Sequence, residues 1–249
     1  MRAVVVGASS GLGRCVAIGL AQRGASVALL ARRLERLESA AAEAGNGAIA
    51  IACDVDDEAS CRSAIAQAAE SLGGIDALIY STGIGPLGHV LDHSPSTWSQ
   101  AFSTNVIGAA VATSAAIEHL TASAGVAVYF STVSASMMPP WPGLSAYIVS
   151  KAALDKLIEA LRVEHPSVGF TRLVVGDCAG GEGDGMTEFA NGWDPELAGE
   201  FGMTWVTKGY ISGSMIAVDD LVNVVEQVAR GGVSYSQPTV VVAPRPTAP

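Results

Sequence analysis

The fold class this sequence predicts is a single α/β domain: a doubly wound parallel sheet of about seven strands with helices on both faces. Three observations carry it. Short runs of valine, isoleucine, leucine and alanine recur along the chain, continuous rather than alternating, as strands buried on both faces require. Segments of helical periodicity fall between them, and no polar linker divides the 249 residues, so one domain covers residues 1–249. A G-x-x-x-G-x-G run, Gly7, Gly11 and Gly13, marks the first strand-to-helix junction.

Composition narrows the function. The chain is 49% hydrophobic and 15% charged with 28 glycines, which suits a heavily buried architecture with tight turns. A net charge of −10 opposes binding to nucleic acid or to an anionic membrane. No run of about 18 apolar residues suggests a transmembrane span, and the opening Met1-Arg-Ala-Val-Val-Val-Gly enters a strand without the pattern of a signal peptide. Cys15, Cys53, Cys61 and Cys178 lack C-x-x-C spacing, and His89, His93, His119 and His165 share no metal-ligand spacing with Cys, Asp or Glu. No metal site is expected, and the cytoplasm is the expected compartment.

The first strand, residues 3–6, runs into a turn made by Gly7, Ser9, Ser10, Gly11, Leu12 and Gly13. Glycines there allow unusual backbone angles and close approach of a phosphate to backbone N–H groups at a helix N-terminus, which is how a dinucleotide is held. The second strand, 26–31, ends at Arg32 and Arg33, with no carboxylate until Glu35. A site for NAD(H) needs an acid near this point for the ribose hydroxyl. Two guanidiniums suit a 2′-phosphate instead, so NADP(H) is favoured over NAD(H).

The third strand, 48–53, ends at Asp54 and Val55 on the expected adenine side, and acids at 56–58 open the next helix. The fourth, 75–80, ends at Ser81, Thr82 and Gly83, where the crevice of such a sheet should lie. A long helix over 96–119 carries Asn105, a mediocre helix former that must be solvated or bonded for a purpose. The fifth strand, 125–130, leads to Thr132 and Ser134, and residues 137–143 hold three prolines and must be a loop.

Next comes Ser145-Ala-Tyr147-Ile-Val-Ser-Lys151. On a helix, Tyr147 and Lys151 share one face, and an ammonium ion beside a phenol lowers the phenol's pKa toward catalytic use. A sixth strand at 170–175, a helix at 219–230 and a seventh strand at 239–243 complete the order. Residues 176–214 are glycine-rich and break the rhythm, so a long irregular insert is expected, with a substrate lid at about 180–214. Its Met186, Phe189, Trp193, Phe201, Met203, Trp205 and Tyr210 suit an apolar pocket, and Asp177, Glu182 and Asp184 lack the alternation of a calcium loop.

The glycine run, Asn105, a hydroxyl after the fifth strand and Tyr147-x-x-x-Lys151, in this order, resemble the short-chain dehydrogenase/reductase family from about residue 4 to 242. The resemblance implies a Rossmann-like NAD(P)-dependent enzyme interconverting a ketone or aldehyde and an alcohol. It implies Tyr147 as proton donor and Lys151 as the group that lowers its pKa and binds the nicotinamide ribose. A Ser or Thr would orient the substrate oxygen, and Asn105 would complete a proton relay. Counting from the strand end puts that hydroxyl at Thr132; counting back from Tyr147 puts it at Ser134, which is narrowly favoured.

A homodimer or homotetramer is also implied. Departures from the family pattern are Val6 for a threonine, Tyr80-Ser-Thr-Gly83 for Asn-Asn-Ala-Gly, and Gly176-Asp177 for Pro-Gly. They motivate one alternative, a catalytically weak or inactive dinucleotide-sensing or scaffold protein; a second, an enzyme working mainly as an alcohol dehydrogenase, stays open because the same groups serve both directions.

Overall fold

The computed structural model describes residues 1–178, 180, 188–211, 213–231 and 234–245. Glu182, Asp184 and Met186, within the expected lid, lie outside them. The elements run β1 (Arg2–Val6), α1 (Gly11–Gln22), β2 (Ser26–Ala31), α2 (Leu34–Ala44), β3 (Ile49–Ala52), α3 (Glu58–Leu72) and β4 (Ala77–Tyr80). Then come α4 (Pro95–Phe102), a π-helical turn (Ser103–Ile107), α5 (Gly108–Ser123), β5 (Val126–Thr132), α6 (Val133–Ser136) and α7 (Ser145–Glu164). The chain continues with β6 (Gly169–Val175), a 3₁₀ turn (Glu188–Ala190), α8 (Pro195–Thr207), α9 (Val218–Ala229) and β7 (Thr239–Val242).

The strands form one seven-stranded parallel sheet in the order β3-β2-β1-β4-β5-β6-β7. Because β1 neighbours both β2 and β4, the strand order reverses there and opens a crevice at the carboxyl ends. Alternate side chains feed two cores. Ala3 and Val5 of β1 join Val16, Leu37 and Val225 from α1, α2 and α9 on one face. Val4 and Val6 join Ile65, Ala112 and Leu154 from α3, α5 and α7 on the other. Covering both faces is what the continuous apolar runs require.

Two expectations about the elements need correction. The expected continuous helix over 96–119 is broken by the π turn, which holds Asn105 on a bulge where the backbone widens. The expected irregular insert contains a 13-residue helix, α8. Asp194 caps it by accepting from the N–H groups of Glu196 and Leu197, and Pro195 takes the first helical position, where a missing N–H costs nothing.

By length and apolarity alone the run Pro95–Ser123 passes as a membrane span. Here Ala109, Ala112, Ala116 and Leu120 pack in the core beneath β4 and β5, the π turn interrupts it, and 33% of its most apolar window is buried.

Candidate active site

At the β1–α1 junction Gly7 has φ +93°, a backbone angle that disfavours any side chain. A Cβ on Gly13 would lie 2.4 Å from the Gly7 carbonyl oxygen and 2.3 Å from Ser81 Oγ, so only glycine fits. Helix α1 starts at Gly11, and its N-cap Ser10 makes no side-chain capping bond, leaving the first-turn N–H groups uncapped by a side chain. One of the departures from the family pattern, Ser81, makes bonds of its own. The Ser81 hydroxyl and N–H both donate to the Val6 carbonyl, at 2.7 and 3.0 Å, and tie β4 to the end of β1.

Thr82 Oγ1 is buried beside Gly7 with no hydrogen-bond partner among the described residues. Uncapped helical N–H groups, a glycine cradle and an orphaned hydroxyl fit the pyrophosphate of a dinucleotide.

The cleft continues past β2. Arg33 Nη2 donates to Ser9 Oγ at 3.0 Å and Ser10 Oγ at 2.9 Å, while Arg32 lines the wall with its side chain exposed. At the end of β3, Cys53, Val55 and Asp56 form the wall. Asp54, expected there, is turned aside: its carboxylate accepts from the Asp56 N–H at 3.1 Å in a tight turn. Asp56 is in turn held by the Thr104 hydroxyl, which donates to its carboxylate at 3.0 Å.

At the other end of the cleft, α7 presents Tyr147 and, one turn on, Lys151, whose ammonium lies 5.9 Å from the Tyr147 ring centre. Lys151 Nζ donates to the Phe130 carbonyl at 2.8 Å. Burial pushes its pKa down to about 8, against the field of Asp155 one turn further along. Tyr147 is pushed up to about 12 by burial; a bond with the Thr132 hydroxyl opposes the rise and the charge of Asp155 adds to it. The expectation that Lys151 leaves Tyr147 with a lowered pKa is therefore corrected. Desolvation dominates the shift, and the phenol keeps its proton at neutral pH.

Thr132 is the hydroxyl that meets the Tyr147 phenol, and Ser134 Oγ stands behind it, 3.1 Å from Thr132 Oγ1. Both line the cavity.

Asn105 is fully buried and lines no part of the cavity. Its Oδ1 accepts from the Ile84 N–H at 2.8 Å, and its Nδ2 donates to the Ile84 carbonyl and to Ser150 Oγ. It thereby joins the loop after β4 to α7. A Cβ on Gly83 would lie 3.2 Å from Lys151 Nζ and 3.4 Å from Asn105 Oδ1, so glycine there lets these groups close up.

The remaining wall is aromatic. Phe189 sets its ring edge-on to Tyr147, centres 4.8 Å apart. Trp193 Nε1 donates to the Gly85 carbonyl at 2.7 Å and Trp205 Nε1 to the Pro142 carbonyl at 2.8 Å. Trp141 stacks on Tyr210. A cavity of about 660 Å³ runs from Arg33 to this cluster. His89 lies on Phe201 with half its side chain exposed.

The sequence reading did not place Trp141 or Glu188 at the site. Its irregular insert also hid a signal: Phe189, Trp193, Leu197, Phe201 and Trp205 recur every four residues, the spacing of one helical face.

A doubly wound sheet with a glycine cradle at its switch point, and a Tyr-Lys pair across the cleft, define a Rossmann-like dinucleotide-binding fold. The chain belongs to the short chain dehydrogenase family, whose profile matches residues 1–180. It is 34% identical over 173 residues to a short chain dehydrogenase of Pseudocercospora fijiensis, covering 67% of this chain and 55% of that protein. It is 34% identical over 170 residues to the oxidoreductase UcpA of Salmonella typhimurium, covering 67% and 64%. The match thus spans less than two thirds of either relative. Among solved structures, a short-chain type dehydrogenase/reductase from Mycobacterium marinum superposes with a TM-score of 0.83 at 27% identity, covering 100% of this chain and 96% of the other.

Proposed function

We propose that this protein is an NADP(H)-dependent oxidoreductase that reduces a ketone or aldehyde carried on an uncharged, apolar body. The observation that carries the reading is the arrangement at Tyr147: a protonated phenol, a hydroxyl against it and a lysine one turn away. A reduced nicotinamide, when bound, supplies the hydride. Tyr147 gives its proton to the carbonyl oxygen, and the Thr132 hydroxyl, backed by Ser134, orients that oxygen. The Lys151 ammonium stabilises the phenolate left behind, and Asn105 fixes the loop and helix that hold Lys151 in place. A phenol protonated at neutral pH supports the reductive direction over oxidation.

Arg33, held by Ser9 and Ser10, supports a 2′-phosphate on the cofactor. Around Tyr147 the wall carries Trp141, Leu144, Phe189, Trp193, Trp205 and Met215, and among the described residues the cation beside it is Lys151, already donating to the Phe130 carbonyl. Trp141 Nε1 is buried without a partner and offers one donor to an acceptor on the substrate. Homo-oligomerisation belongs to the same reading, since Ile107 in the π turn and Val149 on α7 stand exposed; light scattering tests it.

The functional test is to follow NADPH absorbance with apolar aldehydes and ketones, aromatic ones included, beside charged ones such as 2-oxo acids. Consumption is expected with the apolar set alone. Preference for the charged set would contradict the pocket reading, and no consumption with any would contradict the activity.

A further inference from the structure

Glu188 lies in the 3₁₀ turn Glu188–Ala190, more than 150 residues from the arginines it meets. One of its carboxylate oxygens pairs with Arg33 and the other with Arg36. Burial pushes its pKa up, but the bonds from the two guanidiniums outweigh this and hold it below the usual carboxylate value, so it is ionised at neutral pH. Arg33 is the same guanidinium that reaches Ser9 and Ser10, and Glu188 itself lines the cavity. A fixed anion therefore sits on the cation that the reading above gives to the cofactor's 2′-phosphate.

The turn that delivers Glu188 is packed in place. Phe189, the next residue, lies edge-on to Tyr147 and against Gly85, where a Cβ would come within 2.1 Å of its ring. Trp193 packs on Phe189 and donates to the Gly85 carbonyl. With the turn anchored, the carboxylate loses little entropy in reaching the arginines, so the pairing is more than a chance surface contact.

We infer that Glu188 is a cofactor-discriminating residue: its carboxylate holds the place of the 2′-phosphate on Arg33 and must be displaced by NADP(H), whereas NAD(H) leaves it paired. The inference rests on the 2′-phosphate reading of Arg33. A phosphate near its second ionisation carries more charge than a carboxylate and more acceptor oxygens, so it wins the guanidinium. Glu188 lowers the affinity for the phosphorylated cofactor by the fraction of molecules in which the pair is closed. An uncharged residue at 188 removes that competition.

The test is a fluorescence titration of NADPH and NADH against wild type, Glu188→Gln and Glu188→Ala, with thermal unfolding to verify that each variant folds. Both variants are expected to bind NADPH about tenfold tighter with NADH affinity unchanged, as release of a pair closed in about nine molecules of ten requires. A wild type that prefers NADPH, with variants that bind it no tighter, overturns the role of Glu188 and leaves the Arg33 reading standing. Weaker NADH binding in the variants also overturns it, because Glu188 would then be serving the ribose hydroxyls. A wild type without NADPH preference, with variants that bind NADPH no tighter, overturns both.

Discussion

The two ends of the cleft are built by opposite means. At the cofactor end, backbone does most of the work: glycines 7 and 13, the uncapped start of α1, and one arginine held by two serines adjoining that turn. At the aromatic end, side chains do it: Trp141 comes from the loop before α7, and Phe189, Trp193 and Trp205 from a turn and helix later in the chain. A backbone cradle admits one kind of ligand and tolerates little change, whereas an aromatic wall can be re-shaped one side chain at a time. The comparison explains how a fixed cofactor site can serve varied substrates.

The largest break should come from Gly13→Ala. A methyl 2.4 Å from the Gly7 carbonyl forces backbone to move, and overpacking of this kind costs about 3 kcal/mol. Urea unfolding should register that loss, and NADPH titration a loss of affinity of about 100-fold.

The pH dependence separates the ends next. Lys151 loses its proton as pH rises through about 8, while Tyr147, at about 12, stays protonated. For reduction, kcat/KM should be level below pH 8 and fall about tenfold per unit above it. NADPH affinity, anchored at the arginine end, should hold over the same range. A profile that rises through pH 8 would make Lys151 a base and contradict the assignment.

Arg33→Ala should weaken NADPH by about 10- to 100-fold, the range for a charge-assisted bond, and leave NADH nearly unchanged. Equal losses for both cofactors would place Arg33 outside the 2′-phosphate site. The smallest effect is expected at the aromatic wall. Trp205→Phe keeps the ring contacts but removes the bond to the Pro142 carbonyl, so KM for an apolar ketone should rise several-fold with NADPH affinity unmoved.

The same contrast explains what the sequence makes legible. Strand ends at residues 6, 31, 80 and 175, the glycine turn and the Tyr147-Lys151 pair are local patterns, and the structure sets their residues along one cleft. The pairing of Ser81 with Val6 is not readable, because it depends on two parallel strands lying side by side. Nor is the π turn at Asn105, since a helix that widens by one residue keeps the same apolar pattern.

The direction of the Tyr147 shift is not legible for a related reason: spacing reveals the lysine near the phenol but not the burial that raises the phenol's pKa. Helix α8 was the avoidable miss. Asp194-Pro195 is a helix-start signal, and Leu197, Phe201 and Trp205 follow it at intervals of four, but the glycines around them masked both.

Tyr147→Phe tests the central claim most directly, with turnover and NADPH affinity measured on the same preparation. The variant keeps the ring against Phe189 and loses only the hydroxyl. Turnover should fall by at least about 1,000-fold with the dissociation constant for NADPH unchanged, as removal of a proton donor requires. Wild-type turnover in the variant would contradict the assignment of Tyr147 as the proton donor.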